Sequence, residues 1–130
     1  MTKILLVVED EESIQDIISL YMGSLDVEIL HAYNGEDGIR KYREAIDEGK
    51  RPDAVIMDIK LPGMDGIETT RQIKQLDAKA TIFGFTAFQN HWAQAMREAG
   101  AAKVIPRHMG FSVLREILRS TWHQQELSAR

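Results

Sequence analysis

Five short apolar runs alternate with stretches whose apolar residues recur at helical spacing. The first run, KILLVV over 3–8, is continuous and too short to be better explained as a helix. Ile14, Ile17, Ile18, Tyr21, Met22 and Leu25 follow at the spacing of one helix face. VEILHA over 27–32 is less uniformly apolar, as an edge strand would be. NGEDGIRKYREAIDEG then reads as a helix, with Asn34 as its N-cap and Gly49 as its stop. DAVIMD over 53–58 is the third strand, and Pro62–Gly63 turns the chain. Asp65 and Glu68 have the spacing of a capping box for a helix ending near Asp77. ATIFGFT over 80–86 is the fourth strand. Trp92, Ala95, Met96 and Ala99 share a helix face that Gly100 ends. KVIP over 103–106 is a short fifth strand, and Phe111, Leu114, Ile117, Leu118 and Trp122 mark a last helix.

Continuous apolar strands alternating with amphipathic helices predict an α/β fold, a parallel sheet covered by helices on both faces. Right-handed crossovers leave few topologies, and five such units predict a doubly wound, flavodoxin-like sheet in the order 2-1-3-4-5. The expectation is a single domain over 1–130, with a core of about 3–124 and a polar tail over 125–130 that frays.

Composition narrows the chemistry. A chain of 130 residues buries a core without covalent staples, and the absence of cysteine excludes disulfides, thiolate catalysis and thiolate metal sites. No apolar stretch approaches the roughly 18–20 residues of a membrane span. With no basic leader pattern either, the chain reads as cytoplasmic, without a membrane partner. The net charge of -4 is spread without a dense basic cluster, which argues against direct nucleic-acid binding. His31 reads as an edge-strand residue that holds no ligand, and His123 as a solvated helix residue.

Sites in such sheets lie outside the carboxyl ends of the strands. Glu9, Asp10, Glu11 and Glu12 follow the first strand, and Asp58 ends the third. In the predicted order these strands are neighbours, so Asp10 and Asp58 should face each other with Glu9 beside them. Like charges that close oppose ionisation, and a divalent cation reverses the penalty. Oxygen ligands without His or Cys point to a hard ion such as Mg²⁺. Glu11 and Glu12 read instead as acids complementing a helix N-terminus. Thr86 ends the fourth strand and Arg107 follows the fifth. A hydroxyl and a guanidinium opposite a metal make a phosphoryl site, in which a carboxylate can itself be the nucleophile.

The strings ILLVVEDEESI, DAVIMDIKLPGMDGIE, FTA and AGAAKVIPR, in this order and spacing, resemble the receiver domain of two-component response regulators over residues 3 to about 124. The resemblance implies that Asp58 is the phospho-accepting aspartate. It implies Asp10 as a direct Mg²⁺ ligand, Glu9 as its water-mediated companion, the Lys60 backbone carbonyl as a further ligand and Thr86 as the switch hydroxyl. It implies phosphorylation by a sensor histidine kinase or a histidine phosphotransfer protein, in a two-component or phosphorelay system. Output to a downstream protein partner would pass through a changed surface on helix 4, strand 5 and helix 5. Turnover of an external substrate is not expected.

Three positions depart from the pattern. Arg107 stands where receivers carry lysine, and His108 where proline follows, usually after a cis bond. A cis bond before a non-proline residue costs about 3 kcal/mol, so a trans bond and a rerouted loop are expected, with His108 exposed. Val104 stands where a rotating aromatic is usual, and a β-branched side chain does not swing in that way. Phe88 is a candidate substitute, although shielding or packing is its simpler role. Trp92 is expected to be half-buried, and Met64 to cap a hydrophobic contact. The alternative reading is a pseudo-receiver, an interaction module independent of phosphorylation in which Arg107 forms a permanent salt bridge. A flavin or nucleotide site fits poorly, because four consecutive acids after the first strand repel phosphate unless a metal intervenes.

Overall fold

The computed structural model describes residues 2–87 and 91–128. Its elements are β1 (Lys3–Val8), α1 (Glu12–Met22), β2 (Val27–Ala32), α2 (Gly35–Asp47), β3 (Ala54–Met57) and α3 (Gly66–Leu76). They continue with β4 (Ile82–Thr86), α4 (Ala93–Ala99), β5 (Lys103–Pro106) and α5 (Phe111–Ser128). The sheet is parallel in the order β2-β1-β3-β4-β5, as the alternating pattern predicts.

The central strands are buried on both faces, so alternate residues feed two cores. Leu6, Val8, Val55, Met57 and Ile82 meet α2, α3 and α4, while Leu5, Val7, Ile56, Phe83 and Phe85 meet α1 and α5. This two-sided burial explains why the strands carry unbroken apolar runs. At about 25 cal/mol per Å² of apolar surface, each fully buried leucine or phenylalanine contributes about 2 kcal/mol.

Strands β1, β2 and β5 have the expected limits, whereas the runs at 53–58 and 80–86 are trimmed. Asp53 stays outside β3 and uses its carboxylate to accept from the Ile4 amide at 2.7 Å. The expected capping box is half made. The Asp65 carboxylate accepts from the Glu68 amide at 2.9 Å, but Glu68 turns its own side chain to Arg71 and Gln72. Asn34 caps α2 as expected.

The expectation of a fraying tail is corrected. Helix α5 runs on to Ser128, because Gln124, Gln125, Glu126 and Leu127 are helix formers and Glu126 lies 3.8 Å from Lys3. Trp92 occupies the N-cap of α4 and is 46% exposed, so Met96 and Ala99 supply the buried part of that face. Met64 packs on the α2–α3 side of the core, and His123 is exposed. Phe88 lies outside the described residues.

Candidate functional site

The site is built where β1, β3 and β4 end side by side. Val8 and Met57 are register partners, so the residues that follow them, Glu9 and Asp58, leave the sheet together. Asp58 stays tied to β1 through its amide, which donates to the Val8 carbonyl at 3.0 Å. The chain then turns tightly back. Gly66 donates its amide to the Ile59 carbonyl at 2.7 Å, and a Cβ at Gly66 would lie 1.9 Å from the Asp58 carbonyl oxygen. Only glycine permits that approach, which fixes the Asp58 loop against the start of α3.

Glu9, Asp10 and Asp58 each place a carboxylate oxygen within 4.8 Å of the others'. Glu9 is 2% exposed and Asp58 7%, whereas Asp10 is open to solvent. Glu9 accepts from the Glu11 amide at 3.0 Å, and Asp58 accepts from the Ile59 amide at 2.8 Å. Thr86, fully buried, bonds the Asp58 carboxylate and favours its ionised form. Arg107 Nη2 donates to Glu9 Oε1 at 2.7 Å and lies 3.8 Å from Asp58 Oδ1. Asp10, Asp58, Lys60, Pro62, Ala87 and Arg107 border an open cleft of about 610 Å³. All six residues singled out in the sequence therefore lie at one strand-end site.

Burial dominates the electrostatics. It pushes Glu9 up to about 7, helped by the Asp58 charge and a shared bond with Asp10, and Arg107 offsets only part of the rise. Asp58 is also raised, first by burial, against the opposing pull of Arg107, the Ile59 amide and Thr86. Two buried carboxylates held next to a third one favour protonation or a bound cation.

A family comparison decides the kinship: the model of the response regulator receiver domain matches residues 5–119. The chain belongs to that family. The receiver shares 33% identity over 87 residues with the alkaline phosphatase synthesis transcriptional regulatory protein PhoP of Bacillus subtilis, covering 67% of this chain and 34% of that one. With the transcriptional regulatory protein ZraR of Salmonella typhimurium it shares 30% over 127 residues, covering 96% and 28%. The receiver thus spans about a third of the length of these curated relatives. Among solved structures, the response regulator TrrA of Thermotoga maritima in complex with Mg²⁺ and BeF superposes with a TM-score of 0.80 at 28% identity, over 92% of this chain and 98% of that one. A CheY-like receiver from Methanospirillum hungatei gives 0.86 at 22% identity, over 98% and 99%, and supports the fold. The receiver carries the acidic pocket typical of the family's phosphorylation site.

The departures take physical form. No peptide bond among the described residues is cis, so the Arg107–His108 bond is trans as expected. Residues Arg107–Met109 form a single 3₁₀ turn that ends at Gly110, with φ +97°. His108 is exposed, and Val104 packs against the α2–α4 side of the core. Among the described residues, no helix is long and apolar enough to cross a membrane.

Sequence reasoning missed Gln15. It lies on the buried face of α1 and is 1% exposed. Its amide nitrogen reaches the carbonyls of Val7, Glu9 and Ala32 at 3.1, 3.0 and 2.9 Å, joining the ends of β1 and β2. His31 Nδ1 lies 2.6 Å from Gln15 Oε1. That oxygen only accepts, so the ring donates and carries its proton on Nδ1. His31 is thus a structural partner of Gln15, beyond the passive edge residue the sequence led us to expect. The available signal was a glutamine inside an otherwise apolar stripe.

Proposed function

We propose that this receiver accepts a phosphoryl group on Asp58 from a phosphohistidine donor, a sensor histidine kinase or a histidine phosphotransfer protein. The observation that carries this reading is the convergence of Glu9, Asp10 and Asp58 with Thr86 and Arg107 at four neighbouring strand ends. An Asp58 carboxylate oxygen attacks phosphorus, the P–N bond breaks, and the imidazole leaves with the electron pair and takes up a proton. The product is an acyl phosphate.

The residues fit Mg²⁺. The donors are all oxygen, and burial leaves Glu9 short of positive charge. Glu9, Asp10, Asp58 and the Lys60 carbonyl would hold the ion. Bound Mg²⁺ supplies positive charge against the phosphoryl oxygens. Thr86 offers its hydroxyl as a hydrogen-bond donor, and Arg107 offers a guanidinium. Output passes to a downstream protein partner through helix 4, strand 5 and helix 5. The receiver's own chemistry is confined to its Asp58 carboxylate.

A second reading draws support from the Arg107–Glu9 contact. A permanent ion pair there would make a pseudo-receiver that binds partners without phosphorylation. Intact mass after incubation with acetyl phosphate and Mg²⁺ separates the two. A single phosphoryl adduct that disappears in Asp58→Asn supports the first reading. Absence of an adduct with acetyl phosphate and with a phosphohistidine donor, in a folded chain, supports the second.

A further inference from the structure

Arg107 is held from two sides by one residue of β4. Its Nη2 donates to the Phe85 carbonyl at 3.1 Å as well as to Glu9. Its guanidinium carbon lies 5.3 Å from the centre of the Phe85 ring. The Phe85 carbonyl lies on the β3 side of β4, one residue past the last β3–β4 register pair, and the Ile59 amide bonds the Asp58 carboxylate, so the carbonyl is available to the guanidinium. The Phe85 ring is itself wedged. Phe111 meets it edge-on at 5.2 Å and stacks on Tyr21 at 5.6 Å, and Arg115 lies over Tyr21. Phe111 opens α5 directly after the turn that carries Arg107 and Gly110, so one short segment supplies the cation and braces the ring beneath it.

Arg107 Nε is buried and has no hydrogen-bond partner among the described residues. Burying an unpaired donor is costly, and an aromatic face offsets part of that cost for a planar cation. A lysine ammonium, compact and strongly hydrated, neither lies flat on a ring nor shares one planar fork between a carboxylate and a carbonyl. The substitution of arginine and the presence of Phe85 therefore belong together.

We propose that Phe85 is a positioning residue for the phosphoryl site: its ring and carbonyl hold the Arg107 guanidinium beside Glu9 and Asp58. The proposal rests on the phospho-acceptor reading above. Its test is the rate of adduct formation with acetyl phosphate and Mg²⁺, by intact mass, in wild type, Phe85→Met, Arg107→Lys and the double variant. If Phe85 acts through Arg107, Phe85→Met slows the arginine chain roughly three- to tenfold and the lysine chain by less than about twofold. Equal slowing in both backgrounds, with an adduct on wild type, overturns the proposal alone. No adduct on wild type overturns the phospho-acceptor reading and the proposal with it. A check on wild type needs no Phe85 variant to fold. The ring current of Phe85 should move the Arg107 side-chain proton resonances, identified by their loss in Arg107→Lys, upfield of the usual arginine range. Ordinary values overturn the proposal.

Discussion

Without a metal, the acid cluster should make the receiver more stable at mildly acidic pH than at neutral pH. Glu9 titrates at 4.5 when exposed and at about 7 in the fold, chiefly because of burial. Between these values the folded chain holds a proton that the unfolded chain has released, so stability falls as pH rises through that window. The interval, at about 1.4 kcal/mol per pH unit, sets an upper bound of about 3.4 kcal/mol. Asp58 is shifted the same way, but it shares charge with Glu9, so the two contributions overlap. Solvent screening at the open cleft leaves about 2 kcal/mol, or about 6 °C in Tm for a domain of this size. His31 works in the opposite sense, since burial lowers its pKa and its contribution grows as pH rises. Thermal melts in EDTA from pH 5 to pH 8, for wild type and Glu9→Gln, isolate the effect. Wild type should lose Tm towards pH 8 and Glu9→Gln should lose much less. Saturating Mg²⁺ should flatten the wild-type curve, because the cation replaces the proton. A wild-type Tm that is flat or rising in EDTA, or an equal fall in Glu9→Gln, would refute the reasoning.

Three further outcomes test the frame around the site. Gly66→Ala drives a Cβ into the Asp58 carbonyl, so it should lower Tm and slow acetyl phosphate labelling of Asp58. Gln15→Leu leaves three strand-end carbonyls and the His31 ring without their shared partner. Chemical denaturation should show a loss of about 2–4 kcal/mol. Tyr42→Phe removes the 2.7 Å bond from the Tyr42 hydroxyl to Asp77 and should cost about 1 kcal/mol at pH 7. Burial alone would raise Asp77, but the bonds from Tyr42, the Lys79 amide and Arg51 outweigh it and hold the carboxyl below its ordinary value. That stability is present at neutral pH and lost as pH falls through the folded pKa, so the variant's deficit should shrink in denaturation curves near pH 3.

What the sequence reveals here follows the range of the forces involved. A strand buried on both faces must be apolar throughout, so KILLVV marks the central strand β1, while the less uniform runs VEILHA and KVIP mark the edge strands β2 and β5 with the limits the sequence suggests. The carboxylate after VIM announced a strand end, and neighbouring strand ends bring their acids together once the sheet order is known. Bonds between distant residues left a fainter trace. Gln15 reads as a flaw in an apolar stripe until the fold places three carbonyls and His31 around it. Helix α5 outlasted its apolar stripe because helix propensity and Lys3, at the far end of the chain, support its last turn. The half-made capping box at Asp65 turns on which partner Glu68 chooses, and motif spacing does not decide that.

Arg107 is the clearest case, and counting charge shows what its substitution leaves open. Three carboxylates converge at the site, and one guanidinium contacts two of them. The permanent ion pair of a pseudo-receiver would cancel one negative charge and leave two. Lys60 borders the cleft, but its side chain is exposed, where water weakens its field. The residual charge is what a divalent cation neutralises, and Glu9 remains raised even with Arg107 bound to it. Arg107 leans towards Glu9 rather than Asp58, so it balances Glu9 without closing off the proposed acceptor. The arginine therefore stands beside the proposed Mg²⁺ site without filling it, which is the arrangement the proposed phospho-acceptor requires.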